Sequence, residues 1–414
     1  MKRIATFCLT AALSLPALLP AQQPDKTSVP PGLSFVNYDA FEKLTAEVKE
    51  HRKTRLLPLD DFLEASKEAN TIILDTRSLE MYNRKHLKGA VHLAFADFTQ
   101  NNLAKIIPSF ETKILIYCNN NYLYDPSFAS KTGPRVREEK PVTLALNIPT
   151  YINLYGYGYK NVYELAELVG VNDPRLEFEG SHVVISKTVA DSMVTVANLL
   201  LGPRKTPMIG ISPFVDYGAF EQLTAEVKQL RKDRLLSIDE FIEASKDPNT
   251  IILDTRADSL YKRKHIKGAV HLEFSDFTME NLAKVIPSNA TRVLIYCNNN
   301  FYTPTFYIDQ ASFVTKGVSP RQIEMQLQMA ALAKQPKKGK TAATPKNTVP
   351  VKPVTITPFT QRASDLGGQK PLTLALNIPT FINLVGYGYT NVYELADLVN
   401  IQDPRLEFEG SLVK

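Results

Sequence analysis

The feature that most constrains this chain is that it contains itself twice. Thr71-Ile72-Ile73-Leu74-Asp75-Thr76-Arg77 recurs as Thr250-Ile251-Ile252-Leu253-Asp254-Thr255-Arg256. Lys85-His86-Leu87-Lys88-Gly89-Ala90-Val91-His92-Leu93 recurs as Lys264-His265-Ile266-Lys267-Gly268-Ala269-Val270-His271-Leu272, and Ile116-Tyr117-Cys118-Asn119-Asn120-Asn121 recurs as Ile295-Tyr296-Cys297-Asn298-Asn299-Asn300. The pairs share one offset, 179 residues (254 − 75, 297 − 118). The next shared block, Leu144-Ala145-Leu146-Asn147-Ile148-Pro149-Thr150, recurs from Leu374 at an offset of 230, so the second copy carries 51 extra residues (230 − 179) after its Cys. Self-similarity at a fixed offset dictates two units of one fold. They span 33–185 and 213–414, joined by a helix and linker at 186–212.

Within each copy, helical and strand patterns alternate. Tyr38, Phe41, Leu44 and Val48 recur at helical spacing, as do Tyr217, Phe220, Leu223 and Val227. The runs at 71–74 and 113–117 are short and rich in Ile and Leu, as strands buried on both faces require. Helices are expected at 60–66, 79–85, 101–107 and 142–154, and further strands at 90–93 and 161–165. Such alternation gives an α/β fold, a parallel sheet with helices on both faces. Sites in such sheets lie at the carboxyl ends of the strands, which is where Cys118 and Cys297 fall.

The rest of the chain is punctuation. Met1-Lys2-Arg3 and the apolar run 4–19 predict a secretory signal peptide over 1–21, hence a periplasmic or secreted protein. No later stretch is apolar enough to span a bilayer. The segment 188–201 reads as a helix and 203–212 as linker. Within the insertion, at about 320–370, Lys334, Lys337, Lys338, Lys340, Lys346 and Lys352 are interleaved with Pro336, Pro345, Pro350 and Pro353, a composition that predicts disorder. With 48 basic against 43 acidic residues, a net charge of +5, nucleic acid is not an expected partner. No metal-ligand cluster or Gly-rich phosphate loop is present in the sequence, so no cofactor is expected.

Four pieces in order, Ile-Leu-Asp-Thr-Arg after a strand, His-(Leu/Ile)-Lys-Gly-Ala-Val, Leu-Ile-Tyr-Cys and Gly-Tyr-(Lys/Thr)-Asn-Val-Tyr-Glu-Leu, resemble the rhodanese (sulfurtransferase) homology domain. The resemblance covers 56–165 and 235–395. It implies a persulfide carried on the Cys closing the central strand, with sulfur taken from a small donor and passed to a thiophilic acceptor. That role falls to Cys118 and Cys297. Thiolates are the reactive form, and backbone N–H groups or a helix amino terminus beside the sulfur favour them. Asn119, Asn120, Asn121 and their counterparts Asn298, Asn299 and Asn300 are the expected substrate-binding loop. Asn tolerates positive φ, as a concave loop of N–H donors requires.

The sequence departs from that family in two respects. The basic residue that closes the six-residue loop of active members is replaced by Leu123 and Tyr302, and the first cations downstream are Lys131 and Lys316. The block leading into the next helix begins 26 residues after Cys118 and 77 after Cys297, which separates helix and thiol in sequence (144 − 118, 374 − 297). Cys-x5-Arg phosphatase chemistry would need Arg at Tyr124 and Thr303. Asp75, Arg77, Asp254 and Arg256 read as structural ion pairs, and His86 and His265 as backbone-bonding groups. His92 and His271 fit core or rim equally. The aromatic group Tyr151, Tyr155, Tyr157 and Tyr159, matched by Phe381, Tyr387 and Tyr389, reads as packing. Two functions therefore fit: an exported sulfurtransferase, or an inactive rhodanese-like binding or scaffold module.

Overall fold

The structure, a computed structural model, describes residues 32–34, 36–123, 140–171, 173–181, 215–302 and 370–413. The expected leader, the helix at 188–201, the linker, the Lys/Pro-rich segment and the downstream cations Lys131 and Lys316 lie outside the described residues.

Each copy builds one five-stranded parallel sheet. In the first the spatial order is Leu56–Leu57, Val162–Leu165, Lys113–Tyr117, Thr71–Asp75, Val91–His92. The second repeats it with Leu235–Leu236, Val392–Leu395, Arg292–Tyr296, Thr250–Asp254 and Val270–His271. The two long central strands run in register, Ile72 beside Ile114 and Leu74 beside Ile116. Because side chains alternate across a strand, Ile114 and Ile116 face one layer of helices and Leu115 and Tyr117 the other. The second layer is a local core with Leu59 and Phe62 from the helix Leu59–Ala65.

The first layer is shared. Tyr38–Arg52, Gln100–Ile106 and Asn147–Gly156 pack on the sheet, and the same cluster continues through Phe220, Phe274, Phe381 and Ile382 of the second copy. The two domains thus bury one continuous apolar core between them. Tyr38 donates across the boundary to Thr224 O at 2.9 Å, and Tyr217 returns the bond to Thr45 O at 2.9 Å. Lys228 pairs with Asp39 and Glu42, and Lys49 with Glu221. Gly156 is required by proximity, since a Cβ there would lie 2.8 Å from Leu374 Cδ2 and 2.9 Å from Leu44 Cδ2. Gly386 meets Leu144 and Leu223 in the same way. The dipeptide strand Gly32–Leu33 crosses to the second domain, where it pairs antiparallel with Asp397–Asn400.

Local chemistry explains most element limits. Side chains of Asn37, Ser78 and Thr99 accept from the first turns of their helices, satisfying N–H groups that have no partner inside the helix. The helix expected over 142–154 is corrected. A single 3-10 turn covers Val142–Leu144, and the α-helix begins only at Asn147. Pro149 is the cause: lacking an N–H, it fits the first turn and would break a helix interior.

Candidate active site

Cys118 follows the central strand Lys113–Tyr117 and opens a 3-10 turn over Asn119–Asn121; Cys297 does the same after Arg292–Tyr296. The turn differs from the loop expected. Among the described residues only Asn70 has positive φ outside glycine, so none of the six loop asparagines uses the left-handed region. Their side chains brace the turn. Asn119 Oδ1 accepts from Arg77 Nη1 at 2.9 Å, and Asn298 Oδ1 from Arg256 Nη1 at 3.1 Å. Asn121 Oδ1 accepts from Cys118 N at 2.9 Å, while its amide donates to Leu165 O at 2.7 Å. Asn300 repeats both bonds with Cys297 N and Leu395 O. Asn120 spends both ends of its amide on one residue, donating to Lys140 O at 2.8 Å and accepting from Lys140 N at 3.1 Å. Asn299 holds Lys370 identically.

The donors that do reach the sulfur are main-chain. Backbone N–H groups of Asn147 and Asn120 point at Cys118, and those of Asn377 and Asn299 at Cys297. Asn147 opens the helix Asn147–Gly156, so the fold restores to the thiol the helix amino terminus that the sequence had separated from it. Burial nevertheless dominates. Cys118 and Cys297 are 1% and 2% exposed, and burial pushes each thiol up to about 11 against the amides that favour the anion. Both thiols are free.

Two buried ionic systems hold this arrangement. Asp75 takes Arg77 on both oxygens and the Tyr117 hydroxyl, and the Arg77 guanidinium runs on to Lys85 O and the loop Asn119. Asp254, Arg256 and Tyr296 repeat it. These pairs are structural, as the sequence suggests. The second system was not foreseen. Glu164, fully buried on its strand, binds Arg52 at 2.6 and 2.9 Å and accepts from Asn147, which also donates to Asn121. Glu394, Arg231 and Asn377 match it. A charged residue inside the otherwise apolar Val-Tyr-Glu-Leu strand was the signal for it.

A cation was also missed. Lys140 and Lys370, each 7% exposed, lie close enough to Cys118 and Cys297 respectively for the sulfur to bear on the lysine's protonation. Burial pushes both ammonium groups down to about 7, opposed by Asp276 and Cys118 for Lys140, and by Asp97 and Cys297 for Lys370. The signal was in the repeat: Lys140-Pro141 and Lys370-Pro371 share the offset of 230 with the block that follows them (370 − 140). The repeated histidines bond to main-chain carbonyls. His86 Nδ1 meets Tyr82 O at 2.7 Å and His92 Nε2 meets Arg77 O at 2.8 Å, with His265 and His271 alike. Tyr151, Tyr157 and Tyr159 are core residues, and Tyr155 packs on His51. Among the described residues no cluster of His, Cys, Asp or Glu could hold a metal ion, and no helix is long and apolar enough to cross a membrane.

The comparison with known protein families agrees with this architecture. The rhodanese-like domain model matches residues 58–167 and 237–313. No curated protein sequence matches the chain. Among solved structures, a thiosulfate sulfurtransferase from Pseudomonas aeruginosa is 16% identical over 63% of this chain and 41% of its own, at a TM-score of 0.33. The BH2092 protein from Bacillus halodurans is 18% identical over 36% of this chain and 96% of its own, at 0.23. The anaerobic ergothioneine biosynthesis enzyme from Chlorobium limicola is 14% identical over 58% of this chain and 49% of its own, at 0.22. The chain thus spans about two fifths of the first and half of the third. With the family model matched in both copies and a Cys ending the central strand of each sheet, this is a tandem rhodanese-like domain protein.

Proposed function

We propose that the protein is an exported sulfurtransferase in which Cys118 and Cys297 carry sulfane sulfur. The Cys thiolate attacks the outer sulfur of a small donor such as thiosulfate. The donor's S–S bond breaks, sulfite leaves with the electron pair, and a Cys persulfide forms. A thiophilic acceptor, as its anion, then attacks the outer sulfur and releases the Cys thiolate. The observation that carries this reading is the pair of main-chain N–H groups, one at a helix amino terminus, aimed at each sulfur. Such dipoles favour a sulfur anion without a counter-ion in the loop. Arg77 and Arg256 act by fixing the turn through Asn119 and Asn298. Export is supported by the basic and apolar leader at 1–21.

The test is peptide mass spectrometry of the full chain after incubation with thiosulfate. A gain of one sulfur on Cys118 or Cys297, removed by cyanide, supports the proposal; unmodified thiols refute it. One observation favours the alternative, a binding or scaffold module. Both sulfurs are almost sealed and their protons held up to about 11, which leaves little thiolate at neutral pH.

A further inference from the structure

The two domains carry the same strand edge, and among the described residues only the second has it filled. There Phe301–Tyr302 pairs in parallel with Asp397–Asn400, whose other side takes Gly32–Leu33 antiparallel, Gly32 beside Leu398 and Leu33 beside Asp397. Ser34 N extends that ladder to Ala396 O at 2.7 Å. In the first domain Tyr122–Leu123 pairs in the same way with Val169–Gly170, and no described strand lies on the other side. The edges otherwise agree bond for bond. Their sequences are Ala166-Glu167-Leu168-Val169-Gly170 and Ala396-Asp397-Leu398-Val399-Asn400. Ala166 N donates to Leu57 O and Ala396 N to Leu236 O, each at 2.8 Å. Glu167 Oε2 accepts from Leu59 N at 3.1 Å, and Asp397 Oδ2 from Ile238 N at 2.7 Å. Such an edge is a template for a further strand.

The approach to the edge is duplicated as well. Asn37 N donates to Leu372 O at 2.9 Å, and Asp216 N to Val142 O at 2.8 Å. Asn37 caps the helix Tyr38–Arg52 and Asp216 caps Tyr217–Arg231, and Val36 and Val215 pack against the same core. The chain entering the second helix therefore reaches the first domain as the chain entering the first helix reaches the second. Leu33 lies three residues before Val36, and Ser212 three before Val215 (36 − 33, 215 − 212). Three extended residues span about 10 Å.

We infer that the outer edge of Glu167–Gly170 is a strand-binding site filled in cis by Ile211-Ser212, antiparallel, with Ile211 beside Leu168 and Ser212 beside Glu167. The register follows from the two repeat offsets, 179 for the entering segment and 230 for the edge (211 − 32, 398 − 168). Each domain is then completed by residues that lead into the other's first helix. Ile211 suits a strand better than the glycine it matches. Pro213 works against it. It stands where Ser34 stands in the first copy and, without an N–H, cannot give Ala166 O the bond that Ala396 O receives. The clasp on the first domain is one ladder bond weaker and opens first. This assignment does not depend on sulfur transfer, although the edge adjoins the thiol's turn. Asn121, which accepts from Cys118 N, donates to Leu165 O at 2.7 Å and to Glu167 O at 3.4 Å.

Amide hydrogen exchange of the full chain, resolved to single residues by fragmentation mass spectrometry, tests the assignment. Opposed residues of an antiparallel ladder alternate between hydrogen-bonded and non-bonded pairs. The bond from Ser34 to Ala396 places Gly32 and Leu398, and with them Ile211 and Leu168, at bonded positions. The Leu168 amide is expected to be protected, about fivefold less than that of Leu398, for one missing bond. Ile211→Pro withdraws a donor from the ladder and is expected to speed exchange at Leu168 about tenfold or more. Leu398 in the same molecule keeps its protection and reports that the fold survives. Pro213→Ser restores the donor to Ala166 O and is expected to slow Leu168 about fivefold.

Exchange of Leu168 at the rate of an unstructured amide in the wild-type chain overturns the inference. So does protection indifferent to Ile211→Pro, which would assign the edge to another segment. Protection that fades on hundredfold dilution would place a second copy's strand there and overturns it equally. A Pro213→Ser chain with no slowing at Leu168 refutes the register.

Discussion

The two domains share their thiols, braced turns, carboxylate pairs and buried lysines, yet they differ where they touch. Position 273 is a buried Glu where the first copy has Ala94, and position 78 is a Ser where the second has Ala257. Glu273 is 7% exposed, its Oε1 has no hydrogen-bond partner, and burial together with Asp276 and Asp97 pushes its carboxyl up to about 8. Ser78 gives Asp276 a hydroxyl that Ala257 cannot give Asp97. Duplication therefore preserved the surroundings of each Cys and let the electrostatics of the shared boundary diverge.

The comparison can be broken first where the copies agree. Asp75→Ala and Asp254→Ala each remove the carboxylate from a fully buried guanidinium, and each is expected to cost about 3–5 kcal/mol in denaturant unfolding. Unequal losses would show that the Asp254–Arg256 pair is not a true copy of the Asp75–Arg77 pair.

Glu273 sharpens the comparison through pH. A carboxyl raised from 4.5 to about 8 by folding is neutral in both states at low pH. As pH rises through that interval the unfolded chain ionises first, so the stability associated with this group, fully present below 4.5, is lost by about 8. The wild-type chain is expected to lose on the order of 2–4 kcal/mol relative to Glu273→Gln across this window, measured by unfolding at several pH values. Parallel pH curves for the two proteins would place Glu273 in water.

Gly156→Ala and Gly386→Ala push a methyl into leucines of the shared core and are expected to cost about 1–3 kcal/mol each. A loss in only one would reveal slack on one side of the boundary. Ser78→Ala removes both the hydroxyl near Asp276 and the cap on Met81 N and is expected to cost about 1–2 kcal/mol, with no counterpart to test at Ala257.

Much of this was legible in the sequence because strand burial leaves a local signature. Thr71–Asp75 and Lys113–Tyr117 are runs of branched and apolar residues, and their observed limits lie within a residue of the expected ones. The helix at 142–154 was misplaced because helical periodicity was followed through Pro149, which marks a first turn instead. The asparagine loop was expected to be left-handed from residue preference alone. In the fold each Asn side chain has a fixed partner, and those partners, not preference, set the turn. Lys140 and Lys370 were the hardest to see. They are distant from the Cys in sequence, and each is held through contacts with both domains that no local pattern encodes.

The short strand Gly32–Leu33 bears on how the molecule is made. Its partners, Leu398 and Asp397, are synthesised 364 residues or more after it (397 − 33). Translation delivers the amino-terminal half first. This ribbon, and the hydroxyl that Tyr38 extends to Thr224, must wait for residues made much later. The ribbon at Gly32–Leu33 is thus sewn late, and a nascent chain that ends before residue 397 leaves it without its partner.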